Sequence, residues 1–188
     1  MTCPAHSLAA TRRYLTERDV DDIQLLVRAL PKDAQVVDLG AGSGTTALAV
    51  LTAHPTAHVY SVDNDQVQLD WTEINLHANG MTERWIGVCG AVGSEAVRAT
   101  VKMFVGRSWV DLLLHDAGHT RQDVLRDLRA WLTMLRPGSY VWVHDFAPME
   151  EAEESYPGVK QAIKELEHEG LIRWSFEPRG IGYVGRKL

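Results

Sequence analysis

Five times in succession, a short apolar run gives way to a segment whose apolar residues recur at helical spacing. VVDLG precedes AGSGTTALAVLTAHP, HVYSVD precedes QVQLDWTEINLHANG, and RWIGVCG precedes SEAVRATVKMFVG; WVDLLLHDAG and SYVWVHDF each lead into a further helix. Strands alternating with helices imply a parallel sheet covered on both faces, since a parallel neighbour is reached only through a crossover. The end breaks this rhythm. LIRWSFEP and IGYVGRKL are strand-like runs joined by a short link at Arg179 and Gly180, which forces an antiparallel hairpin. Upstream, Val20, Ile23, Val27 and Leu30 mark an amphipathic helix capped by Thr16 or Asp19 and stopped by Pro31. The pattern predicts an α/β fold: a doubly wound seven-stranded sheet with an antiparallel last strand and helices on both faces.

With 188 residues, the length predicts one domain over 16–188 and a loose N-terminal arm over 1–15. A composition of 45% hydrophobic and 23% charged residues excludes global disorder and collagen. The formal net charge of −6 argues against nucleic acid as the main partner, because polyanion binding leans on clustered Lys and Arg. No run approaches the roughly 20 apolar residues of a spanning helix, and the N-terminus lacks a signal-peptide core, so the expectation is a cytoplasmic protein without a membrane partner. Cys3 and Cys89 have no metal-ligand spacing, and Cys89 reads as a small buried hydrophobe. The six tryptophans read mainly as core or helix-face residues, with Trp142 and Trp71 the two placed to border a cofactor. EEAEES reads as an acidic surface loop, and the longer MEEAEESYPG stretch as a mobile lid.

The chemistry begins at DLGAGSG, Asp38 to Gly44. A dinucleotide fingerprint would need glycine at position 45, where Thr45 stands; the third glycine comes at Gly44 instead. This spacing resembles the first motif of class I S-adenosylmethionine-dependent methyltransferases, which have a Rossmann-like sheet ending in the same antiparallel insertion. The resemblance extends from about Pro31 to the C-terminus. It implies that Gly40, Gly42, Ser43 and Gly44 shape a floor beneath S-adenosylmethionine, with Asp38 near the methionine portion. Asp63, which ends the second strand ahead of Asn64, is placed to accept hydrogen bonds from ribose hydroxyls. Gly90 and Ala91 resemble the segment bordering the adenine.

Two further strand ends carry histidine beside aspartate, in LLLHDAGHT and VWVHDF. Asp116, His144 and Asp145 make an oxygen and nitrogen set suited to magnesium or another divalent cation. The arrangement resembles cation-dependent small-molecule O-methyltransferases, of the catechol type and of the antibiotic-tailoring type related to macrocin and cephalosporin biosynthesis. By that resemblance, Asp116 borders both metal and cofactor, and His119 occupies the slot of a lysine base. A histidine, with a pKa of about 6.5, is suited to take a proton from an acidified hydroxyl. His115 alternates with Asp116 and should face the opposite way, as a packed residue; His119 also reads as a helix N-terminal residue bonded to nearby backbone.

The leading expectation is a methyltransferase acting on an oxygen of a small hydroxylated acceptor, with His119 and Asp116 at the reacting centre. Three readings stay open beside it: the same fold without a metal, a non-catalytic nucleoside-binding module, and an NAD-dependent oxidoreductase, which Thr45 disfavours. A homodimer is the commonest closed assembly for such a chain.

Overall fold

The computed structural model describes residues 15–107, 109–146 and 156–188. The arm expected over 1–15 falls, apart from Leu15, outside the described residues, and so do EEAEES and most of the lid segment. Helix α1 (Glu17–Arg28) starts at a capping box, in which the Thr16 side chain accepts from Asp19 N while Asp19 accepts from Thr16 N. Strands β1 (Gln35–Leu39), β2 (His58–Asp63), β3 (Trp85–Cys89), β4 (Val110–His115) and β5 (Leu135–Val143) alternate with α2 (Thr45–Ala53), α3 (Gln66–Ala78), α4 (Glu95–Val105) and α5 (Arg121–Trp131). Helix α6 (Pro157–His168), β6 (Ile172–Trp174) and β7 (Tyr183–Lys187) complete the chain.

The sheet has seven strands in the order β3-β2-β1-β4-β5-β7-β6, with β7 antiparallel to both neighbours. This is the expected Rossmann-like methyltransferase sheet. Alternation along each strand divides the core. Val37, Leu39 and Leu113 face a cluster built with α4, α5 and α6; Val36, Leu112 and Leu114 face one built with α1, α2 and α3. Helix α2, TTALAVLTA, has almost no polar face and is correspondingly buried along nearly its whole length. Among the described residues, no helix is long and apolar enough to cross a membrane.

Two local expectations change. The fifth strand begins at Leu135 rather than in SYVWV, and its register against β4 shifts between Val110 and Leu112. Pro137 has no donor for the ladder and Gly138 takes φ 88°, so LRPG bulges instead of ending before the strand. The link between β6 and β7 is also longer than Arg179 and Gly180. Asp22 accepts from the backbone N–H groups of both residues, and Asp19 accepts from Ile181 N, so α1 holds this segment away from strand pairing.

Candidate active site

The carboxyl ends of the strands open into a cleft of about 1010 Å³, large enough for a nucleoside, its tail and a small acceptor. Its floor is the glycine turn. Gly40 sits at φ 93°, and a Cβ there would lie 2.0 Å from the Asp116 backbone oxygen; only glycine lets these two strand ends meet. Gly42, at φ 50°, has open space where its Cβ would be and lines the cleft with Ser43. From α3, Thr72 Oγ1 donates to Gly42 O at 3.1 Å and Asn75 Nδ2 to Ser43 O at 2.7 Å, pinning the turn from behind.

Asp63 stands at the wall beside Asn64. Its Oδ2 accepts from Gly42 N at 3.2 Å and its Oδ1 from Asp65 N at 3.0 Å. Each oxygen keeps a second lone pair, which leaves the carboxylate able to receive vicinal hydroxyls. Ala91 lines the cleft next to Val92 and Gly93.

At the other end, four side chains converge. His144 Nδ1 lies 3.2 Å from Asp116 Oδ1 and 3.3 Å from Asp145 Oδ1, while its Nε2 faces the fully buried Asp19 at 3.5 Å. His119 Nε2 is 2.8 Å from Asp145 Oδ2 and 3.9 Å from Asp116, and its ring stacks on Tyr156 at 4.3 Å. Asp145 holds φ 59°, a costly conformation for a residue with a Cβ, and the strain occurs where its carboxylate meets this cluster. Burial disfavours a proton on His144, yet Asp116, Asp145 and Asp19 outweigh that and push its pKa up to about 12. The carboxylates of Asp116 and Asp145 likewise raise His119 to about 9. Burial works to raise the Asp116 pKa, but hydrogen bonds from His119 and His144 hold it far below the usual carboxylate range.

Three expected cofactor residues are not on the wall. Asp38 is completely buried: its carboxylate accepts from Ser61 Oγ at 2.8 Å on the α1–α3 side of the sheet, beneath the turn. Burial pushes its pKa up to about 7, with Ser61 opposing the rise and Asp116 and Asp63 adding to it. Gly44 packs on Thr72, and Gly90 uses its N–H on the Asp63 carbonyl. All three support the floor without facing the cleft. Cys89, expected to be buried, is exposed because β3 is an edge strand. Trp142 is fully buried and Trp71 is 40% exposed, and neither borders the cleft. His115 faces away from Asp116 and is buried against Asp127. His119 bonds Asp145 rather than nearby backbone.

Residues 37–146 match the family model described as a methyltransferase domain. The chain belongs to this methyltransferase family. That membership and the seven-stranded order agree with the class I S-adenosylmethionine-dependent methyltransferase resemblance carried by the glycine spacing and the terminal antiparallel pair. Among curated proteins, the methyltransferase is 40% identical over 57 residues to the ribosomal protein L11 methyltransferase of Legionella pneumophila (strain Corby), covering 30% of this chain. The chain spans 19% of that relative's length. Among solved structures it resembles the O-methyltransferase from Bacillus cereus in complex with SAH, with TM-score 0.70, 14% identity, and coverage of 98% of this chain and 84% of the other. It also resembles the O-methyltransferase TomG from Streptomyces achromogenes, involved in tomaymycin synthesis, in complex with SAM: TM-score 0.70, 14% identity, coverage 96% and 87%. At such identities these structures establish the shared fold.

The methyltransferase contains site residues that sequence reasoning missed. Asp19 was visible only as a helix cap, although it also faces His144. Thr72 left a signal, as a polar residue at i+3 from Leu69 on the buried face of α3. Tyr156, Arg126 and Asp127 left none.

Proposed function

We propose that this methyltransferase moves a methyl group from S-adenosylmethionine to an oxygen of a small hydroxylated metabolite, with a divalent cation held by Asp116, His144 and Asp145. The observation that carries this reading is the meeting of His119 with those three residues at one end of the cleft whose other end is lined by Asp63 and the glycine turn.

The donor set fits a divalent cation. One ligand atom from each of the three residues lies within 4.8 Å of the others, and two carboxylates with an imidazole suit magnesium, manganese or a harder transition metal. Such a cation supplies Lewis acidity that lowers the pKa of an acceptor hydroxyl. S-adenosylmethionine supplies a methyl group on a positively charged sulfur. The chain's own residues do the rest. Gly42 and Ser43 let the backbone approach the cofactor, and Asp63 accepts from its ribose. His119 takes the acceptor's proton, the oxygen forms its bond to the methyl carbon, and the carbon–sulfur bond breaks to leave neutral S-adenosylhomocysteine. His119 performs this role only when neutral, which requires Asp116 and Asp145 to be engaged elsewhere than on its imidazole; holding a cation is such an engagement. Leu15, Tyr156 and Ile181 line the cleft near the cluster, and this mixed apolar wall supports a small acceptor.

A metal-independent reading has one observation in its favour: His119 pairs with Asp145, and His144 with Asp116, so both carboxylates already have a cationic partner without an ion. The experiment is calorimetric titration of S-adenosylhomocysteine with magnesium and with EDTA, followed by methyl-transfer assays across phenols, sugars and amines. Binding in both buffers, with transfer to hydroxyl acceptors lost on chelation and in Asp145→Ala, is the expected result. Unchanged transfer in EDTA and in Asp145→Ala establishes the metal-independent reading. Absence of S-adenosylhomocysteine binding overturns both.

A further inference from the structure

The mechanism leaves one buried pair unused. His115 Nε2 lies 3.5 Å from Asp127 Oδ2, with side chains only 2% and 1% exposed. The other oxygen of Asp127 accepts from Arg126 Nε at 2.9 Å, and Arg126 Nη1 donates to Asp123 Oδ1, also at 2.9 Å. A buried His–Asp pair is expensive to desolvate, and an ion pair as open as Arg126, 57% exposed, stabilises a fold little. Stability alone is a poor account of why this chain of groups exists.

Its place suggests another. The loops after β3, β2, β1, β4 and β5 follow one another along the carboxyl edge of the sheet. Under the cofactor reading above, on which this inference rests, the sulfonium faces the cluster after β4 and β5 and the ribose faces Asp63 after β2. The nucleobase must then extend the other way, toward Ala91, Val92 and Gly93 after β3. There the opposite wall is the face of α5 that presents Asp123, Arg126 and Asp127 to the cleft. Gly93 makes this possible: a Cβ would lie 2.5 Å from Arg126 Nε and 2.8 Å from its Cδ, so the guanidinium lies against the loop only because glycine is there. With Nε and Nη1 committed, Nη2 has no partner among the described residues. What remains is a planar cation, held at one edge by Asp127 and Asp123, whose face is suited to stack on a π system.

We propose that Arg126 is the residue on which the adenine ring stacks, and that the buried His115–Asp127 pair positions its guanidinium for that contact. The test compares S-adenosylhomocysteine and plain adenosine, by calorimetry, on the wild type, Arg126→Gln and Arg126→Lys. Both variants weaken both ligands by the same factor, roughly three- to thirtyfold, because the lost contact is to the part the ligands share. The lysine variant behaves like the glutamine one, since it keeps charge but lacks the plane. Asp127→Asn weakens binding less, and its effect disappears in the Arg126→Gln background, which a merely structural role would not produce. Unaltered S-adenosylhomocysteine affinity in the Arg126 variants overturns the proposal. So does a loss for S-adenosylhomocysteine with none for adenosine. A wild type that binds neither ligand overturns the cofactor reading instead, and that outcome is distinguishable because it needs no variant.

Discussion

The Nδ1 atom of His144 sits 3.2 Å from the carboxylate of Asp116, across the gap between the ends of β4 and β5. In the absence of a cation that nitrogen carries a proton, because the surrounding carboxylates push its pKa up to about 12. A metal ligand must be the neutral imidazole, so binding of a cation expels a proton. Magnesium or manganese affinity is therefore expected to rise with pH, by about tenfold per unit for each proton displaced. Calorimetry in buffers of different ionisation enthalpy reads the released protons directly. A metal affinity that stays flat between neutral and alkaline pH contradicts this ligand set.

Without metal, the same cluster makes stability pH-dependent. His119 is raised from 6.5 to about 9, so its contribution is fully present below the unfolded value and is lost as pH climbs through the folded one. In EDTA, the urea midpoint is expected to fall across that window. His119→Gln should flatten the fall, leaving the part due to His144.

The glycine turn separates two kinds of substitution. Gly40→Ala drives a Cβ into the Asp116 carbonyl at a positive φ and is expected to abolish soluble folded protein or lower its melting temperature steeply. Gly42→Ala meets no protein atom, so it should lose only about 1 kcal/mol of stability from its left-handed backbone while weakening S-adenosylhomocysteine at least tenfold by occupying the cleft. Melting curves paired with titrations check both, and equal destabilisation by the two alanines would refute the distinction.

Asp38 offers a test in the opposite direction. Its folded pKa is raised to about 7, so the stability linked to its proton is present below the unfolded value near 3.8 and is lost as pH rises to neutrality. Asp38→Asn keeps a neutral group of the same shape. It is expected to raise the melting temperature at pH 8 and to leave S-adenosylhomocysteine affinity within a few-fold of wild type, since the side chain does not reach the cleft. A large loss of affinity would return Asp38 to the cofactor wall.

Asp63→Asn places an amide N–H₂ against one of two backbone donors, Gly42 N or Asp65 N. Loss of the charge and the donor clash together are expected to weaken S-adenosylhomocysteine by about 2 kcal/mol, with a smaller fall in melting temperature. Titration of a 2′-deoxy analogue locates the contact: the variant should discriminate less between the two ligands than the wild type does.

Much of this molecule was legible along the chain because its signals are local. Period-two and period-3.6 hydrophobicity mark strands and helices, glycine spacing separates this turn from a dinucleotide fingerprint, and a carboxylate at a strand end is placed by the strand itself. Asp63, Asp116, His119, His144 and Asp145 line the cleft for that reason. Facing and contact were decided only by packing. Asp38 also lies near a strand end, one residue before Leu39, yet register places its carboxylate beside Ser61, beneath the turn. Asp19 caps a helix by its local sequence and reaches His144 only because α1 docks beside the β6–β7 link. Arg126 meets Gly93 across 33 residues of chain only once α5 has packed over the loop after β3. Contacts between residues so far apart depend on how whole elements dock, which is settled by the shared core and not by neighbouring residues.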